Sequence, residues 1–162
     1  EGADVALRLG RLPDSGFGAR LLGKAPRLVI ASRGYLARKG MPRTLADLGG
    51  HDCILGPGLS SRSGWNFTRS GKAESVTVQG SITVTSADGV VACAKAGLGI
   101  AVASRWMCRT ELEAGEVVPI LSDYQLDWVE LHAVYPTGRR PSLKVRTISD
   151  YLAAQLMHHE GG

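Results

Sequence analysis

No stretch of this 162-residue chain is apolar over the ~20 residues that a bilayer-spanning helix needs, so no membrane partner is expected. The three cysteines, Cys53, Cys93 and Cys108, are odd in number and show no metal-ligand spacing. Two readings stand for them: free buried thiols in a reducing, cytoplasmic compartment, or a redox-sensing pair if two sulfurs approach each other. The histidines, His51, His132, His158 and His159, are scattered, and none stands at ligand spacing from a Cys or carboxylate. No metal and no cofactor is therefore expected. A G-x-S-x-G elbow is missing, and no acid, base or nucleophile stands in a recognisable arrangement, which argues against an enzyme. The net charge of +4 comes from basic residues spread along the chain, with no stripe that would bind nucleic acid by itself.

With 44% hydrophobic and 21% charged residues, the chain can fill one sizeable domain, or one domain and part of another. Its richest segment is Ser81–Trp106. Ser81 to Thr85 alternates as a half-buried strand, Ser86 is placed as an N-cap, and Val90, Val91 and Ala94 form a helical stripe. Gly97 then ends the helix, and Ile100–Ala103 returns as a buried strand. Open α/β sheets bind ligands beyond the carboxyl ends of their strands, against helix N-termini, so a small anion is best sought here.

Elsewhere the pattern predicts strands at Asp4–Leu9, Arg27–Ala31, Cys53–Leu55 and Leu131–Tyr135. Gly10–Gly18 reads as a loop, and Gly34–Lys39 as a short helix capped by Ser32 and stopped by Gly40. Thr44 to Leu48, with Asp47 three residues after Thr44, reads as a helical turn with a weak capping box. Trp65–Thr68 and Ser75–Val78 flank Ser70-Gly71 as a hairpin, and Arg105–Glu113 reads as a helix closed by Gly115. Gly138–Pro141 is a basic linker. Ser142 starts a final helix with Val145, Ile148, Leu152 and Leu156 on one face. That face needs a sheet, which groups the last helix with the first strand and makes the middle an inserted lobe. The chain opens inside a strand, so upstream sequence is expected.

Gly18 to Ala25 nearly matches a P-loop, but Ala25 stands where a metal-binding hydroxyl belongs, Pro26 follows, and no strand leads in. Gly56-Pro57-Gly58 lacks the third glycine and the helix of a dinucleotide fingerprint. Trp65, Trp106 and Trp128 read as packing anchors or as ligand platforms. Arg8 reads either as half of a surface ion pair or as a clamp for a carboxylate.

Five segments occur in a telling order: DVALRLGRLPDSGFGARLLG, RLVIASRGYLARKGMPRTLADLGGHDCI, GWNF, GLGIAVAS and LHAVYPTGRRPSLKVRTISDYLAAQL. Together they closely resemble the C-terminal half of a LysR-type transcriptional regulator. The resemblance implies an α/β, two-lobed, periplasmic-binding-protein-like (type 2) fold, with the second lobe complete and the first partial. The second lobe would span 24–136, and 1–23 with 137–162 would be the remnant of the first. The DNA-binding helix-turn-helix is expected to lie outside this chain. Ser104 departs from the family, which usually has proline there.

By the same resemblance a small-molecule effector, a carboxylate or an aromatic acid, would sit between the lobes. Ser32, Gly56, Pro57, Thr85, Ser86 and Ala87 would line the second lobe's wall, and Arg8 would come from the first. Ser32 and Ser86 also have a plain reading as helix caps. The implied partners are further copies of the chain, as a dimer through the Ser86–Ala103 region and a tetramer at full length. DNA would be bound only through the N-terminal domain. Self-association of the partial first lobe is expected from its exposed sheet edge. The alternative is the solute-binding protein of a transporter, which shares the two-lobed plan.

Overall fold

The computed structural model describes residues 5–10, 17–57, 64–136 and 143–158. In chain order the strands begin with β1 (Ala6–Leu9), β2 (Phe17–Ala25) and β3 (Arg27–Ala31), followed by helix α1 (Arg33–Lys39). A 3-10 turn (Ala46–Gly50) precedes β4 (Cys53–Leu55), β5 (Trp65–Arg69), β6 (Lys72–Val76) and β7 (Gly80–Thr83). Then come α2 (Ala87–Lys95), β8 (Ile100–Ser104), α3 (Arg109–Glu113), β9 (Val118–Ile120), β10 (Val129–Pro136) and α4 (Leu143–His158). These elements form two compact units. Unit 2 is the continuous segment Pro26–Asp127, and unit 1 combines the residues up to Ala25 with those from Trp128 onward.

Unit 2 is built on a five-stranded sheet in the order β7-β4-β8-β3-β9. Its inner strands β4, β8 and β3 read as continuous apolar runs because both of their faces are covered. Val29, Ala31, Cys53, Leu55, Ile100 and Val102 face a cluster made with Tyr35, Leu48, Trp65 and Phe67. The alternate residues, Ile30, Ile54, Ala101 and Ala103, face Val90, Val91 and Ala94 of α2, together with Cys108. The two-residue period of a strand thus divides each run between two cores. The β5–β6 hairpin turns at Ser70 and Gly71, both at positive φ, as a two-residue turn with this twist requires.

Strand direction decides where the candidate residues lie. β4 runs parallel to β7 and β8, whereas β3 runs antiparallel to β8 and β9. β3 therefore finishes at the end of the sheet where β4, β7 and β8 start.

Unit 1 is an antiparallel sheet in the order β1-β10-β2, with α4 packed on β2. An ion pair from Arg20 to Asp150, 2.6 Å, ties that helix to the strand. The first strand and the last helix do share a unit, as their patterns imply. The expected α4 face needs correcting, however. Val145 and Ser149 are the buried pair, one turn apart, while Ile148 is 47% exposed.

Two further readings change, and one strand, β9, had no reading in the sequence. The segment taken as a failed P-loop is β2 itself. Its alternation is broken because Leu131 pairs Gly23 while His132 pairs Leu21, leaving Leu22 as an extra, buried residue. β9 carries too few residues to show a pattern. The expected 24–136 lobe is also too long at its far end, because β10 hydrogen-bonds to β1 and β2 and so belongs to unit 1. The loop from Gly58, the Gly138–Pro141 linker and the Ser142 cap lie outside the described residues.

Candidate functional site

At the carboxyl end of β4 the chain passes Gly56 and Pro57, and at that of β7 it passes Val84 and Thr85 into Ser86. The register Ile54–Ile82 and Leu55–Thr83, continued by the Val84 N–H donating to the Leu55 carbonyl at 2.8 Å, sets these two exits side by side. Ser86 is extended (φ −119°, ψ 145°) and its Oγ accepts from the Gly89 N–H at 3.2 Å, as an N-cap does. Among the described residues, the N–H groups of Ala87 and Asp88 find no acceptor, and Thr85, Ser86 and Ala87 are exposed. Asp88, also exposed, adds a negative charge to the first turn. It stabilises the helix dipole and competes with any anion there.

Glycine lets α2 come this close. A Cβ on Gly56 would stand 2.7 Å from Val90 Cγ2, and one on Gly89 would stand 2.6 Å from Val84 Cγ1. Both lie under any normal carbon–carbon contact. The first turn of α2 therefore rests directly on the ends of β4 and β7.

Ser32 does not belong to this group. Ile30, Ala101 and Ile54 share one row of the sheet, and the chain runs from Ile30 to Ser32 in the direction opposite to that from Ile54 to Gly56. Four residue steps, about 13 Å along the strands, separate Ser32 from Gly56. Ser32 is instead the buried cap of α1, its Oγ accepting from the Tyr35 N–H at 3.2 Å. Gly97 (φ 76°) lies against it, and Arg38 donates to the Gly97 carbonyl at 2.8 Å. Arg8 lies in unit 1, exposed and opposite His132 on β10.

The antiparallel course of β3 also brings residues that pattern reasoning missed. Its first residue, Arg27, pairs with Ser104, and the Arg105 N–H donates to the Pro26 carbonyl at 2.9 Å. Arg27 and Arg105 thus share the sheet end with Thr85 and Ser86. A strand preceded directly by Pro26 at a unit boundary was the signal available for this.

The expected dimer surface also needs revision. β8 is paired on both sides, by β4 and β3, and its residues are buried, so Ile100–Ala103 cannot be offered to a partner. From the Ser86–Ala103 span, α2 still presents Ala87, Asp88, Ala92 and Lys95. Among the described residues, no helix is long and apolar enough to cross a membrane, and no group of His, Cys, Asp or Glu could hold a metal ion.

A mixed α/β sheet with one strand reversed, helices on its faces and a second unit formed by both ends of the chain is the plan of the type 2 periplasmic-binding-protein-like class. The family described as LysR substrate binding domain matches residues 1–157, and the chain belongs to it. An uncharacterized HTH-type transcriptional regulator of Haemophilus influenzae is 34% identical over 149 residues, which cover 92% of this chain and 52% of that protein. The chain is also similar to the regulatory domain of CrgA, a LysR-type transcriptional regulator of Neisseria meningitidis. That match has a TM-score of 0.80 at 29% identity and covers 94% of this chain and 75% of the CrgA domain. Full-length AphB, the Vibrio cholerae virulence activator, matches with a TM-score of 0.78 at 27% identity, over 94% of this chain and 51% of its own. The chain spans about half the length of the curated relatives it matches. These relatives are transcriptional regulators and not enzymes, and they leave the transporter alternative without support.

Proposed function

We propose that the chain is the effector-sensing part of a cytoplasmic LysR-type regulator, which binds a small anionic metabolite, a carboxylate or an aromatic acid. The wall of the site in unit 2 is Gly56, Pro57, Thr85, Ser86 and Ala87. Ser32 is left out, since it caps the other end of the sheet. The observation that carries this reading is the open first turn of α2. Two N–H groups without acceptors stand beside exposed hydroxyls where parallel strands end, and such a turn receives a carboxylate without a full counter-charge. Binding then favours one arrangement of the subunits of a homo-oligomer, and so shifts DNA binding by an N-terminal domain of the longer protein. Only the α2 part of the span first expected to dimerise is available for that assembly.

Ser86→Trp tests the site. It fills the space over the first turn with a bulky ring while leaving the buried stripe of α2 intact. Thermal-shift and calorimetric titrations with benzoate, acetate, succinate and other small carboxylates are expected to find a ligand for the parent chain. The variant should then lose at least ten-fold in affinity with its far-UV spectrum and its cooperative unfolding transition retained. Equal affinity in the variant would remove the site from this end of α2.

A further inference from the structure

We propose that Tyr35, His51 and the backbone amide of Asp52 form a clasp that ties α1 to the start of β4 and is released when His51 takes up a proton. The clasp lies at the end of unit 2's sheet where β4 begins, away from the candidate ligand site. Tyr35 is buried on α1, and its hydroxyl meets two partners: the Asp52 N–H at 2.9 Å and His51 Nδ1 at 3.1 Å. The rings of Tyr35 and His51 also pack, with centroids 5.8 Å apart.

The proton inventory limits the roles. A backbone N–H can only donate, so the Tyr35 oxygen accepts from Asp52 and its own proton is free to be given away. Among the described residues the only acceptor within reach is Nδ1 of His51. The phenol can give its proton to Nδ1 only in the neutral tautomer that carries its proton on Nε2; in the other tautomer Nδ1–H donates to the phenol oxygen. Once the ring is an imidazolium, Nδ1 becomes a donor. The phenol proton is then left in a buried site without an acceptor, which carries the desolvation cost of an unmade hydrogen bond.

Charges facing His51 act on the same equilibrium. Asp47 on the 3-10 turn interacts with His51 and favours its imidazolium, whereas Asp52 and Arg38 act on the Tyr35 phenol with opposite signs. Lys39 Nζ stands 3.4 Å from the Asp52 carboxylate and partly neutralises it. Cys53, the next residue of β4, is held as a neutral thiol by burial and adds no charge. The clasp is therefore made or broken by the state of that one ring nitrogen, Nδ1 of His51. Its release frees the amide just before β4 and the outer face of Tyr35.

The test uses the full chain and nuclear magnetic resonance. His51 ring signals report its protonation, and hydrogen exchange, corrected for the intrinsic pH dependence, reports protection of the Asp52 amide. Protection should fall about five-fold as His51 is protonated, the equivalent of one hydrogen bond, while the Val29 and Ile54 amides at the sheet centre stay unchanged. His51→Gln, whose side-chain oxygen can accept from the phenol but cannot titrate, should keep the Asp52 amide protected at both ends of the range. Tyr35→Phe should leave it unprotected throughout, which gives a second reading if the glutamine variant does not fold. Equal protection of Asp52 on both sides of the His51 titration would overturn the proposal. So would an equal, parallel loss at Val29 and Ile54, or an unaltered pH dependence in either variant.

Discussion

Cys53 and Cys108 are fully buried, and desolvation pushes their thiols up to about 12 and about 11. Cys108 also donates its S–H to the Ser104 carbonyl at 3.3 Å. A thiol that stays protonated and covered is a poor nucleophile, whereas Cys93, half-buried on α2, is within reach of a reagent. Iodoacetamide at pH 8 should therefore label Cys93 in the native protein, with Cys53 and Cys108 following only after unfolding, as peptide mapping would read. Native labelling of Cys53 at the rate of Cys93 would contradict this. The same shifts have a sign for stability. A folded thiol with a raised pKa contributes stability below the unfolded value of 9.0. That contribution is lost as pH rises from there towards about 12 for Cys53 and about 11 for Cys108, so the chain should weaken on the alkaline side.

Among the elements, α2 shows how little separates a capped helix from a displaced one. Gly56→Ala places a methyl group against Val90 Cγ2 at 2.7 Å, and either α2 lifts from the end of β4 or the valine strains. A loss of about 1–3 kcal/mol in chemical denaturation is expected. Val90→Ala alone should cost about as much, since it removes two methyl groups from a buried position. The double variant should recover part of the Gly56→Ala loss, so that the two changes are not additive. Strict additivity would mean that the close approach is not what makes Gly56 necessary. The sequence shows much of this element: the Ser86 cap, the Val90–Val91–Ala94 stripe and the Gly97 stop are each local in cause and appear as expected. It does not show the direction of β3. A five-residue apolar strand has the same pattern whichever way it runs, and so Ser32 was grouped with residues that stand at the other end of the sheet. β2 was hidden for a related reason, since its extra residue Leu22 disrupts the alternation by which a strand is recognised. In α4 the helical period is legible, but the side that faces the sheet is chosen by the position of β2, and Ser149 rather than Ile148 is buried.

For the whole molecule, the two units differ in how the chain builds them. Unit 2 is one uninterrupted segment whose inner strands are covered on both faces, whereas unit 1 requires strands from both ends of the chain. A protein comprising only residues 26–127 should therefore fold by itself, with a cooperative denaturant transition and ordered near-UV signals from Trp65 and Trp106. Absence of that transition would show that unit 2 depends on unit 1. The resemblance in sequence covered nearly the whole chain and led to the correct class, because the order of short motifs survives where each motif alone is weak. It carried the cleft residues over as a set and could not tell which of them share one sheet end, since that is a matter of strand pairing.

Ala25 and Val129, the last residue of β2 and the first of β10, are directly paired. Directly opposed residues of an antiparallel pair have α-carbons about 5 Å apart, so the chain leaves unit 1 and re-enters it at neighbouring points. To unit 1, the hundred or so intervening residues are equivalent to the tip of a hairpin. Such a segment can be exchanged for that of a relative, or shortened to a tight turn, without altering any pairing in the sheet that carries it. Under the proposed function, ligand preference would in this way be inherited as a cassette, recombining between regulators while the strands that frame it keep their register.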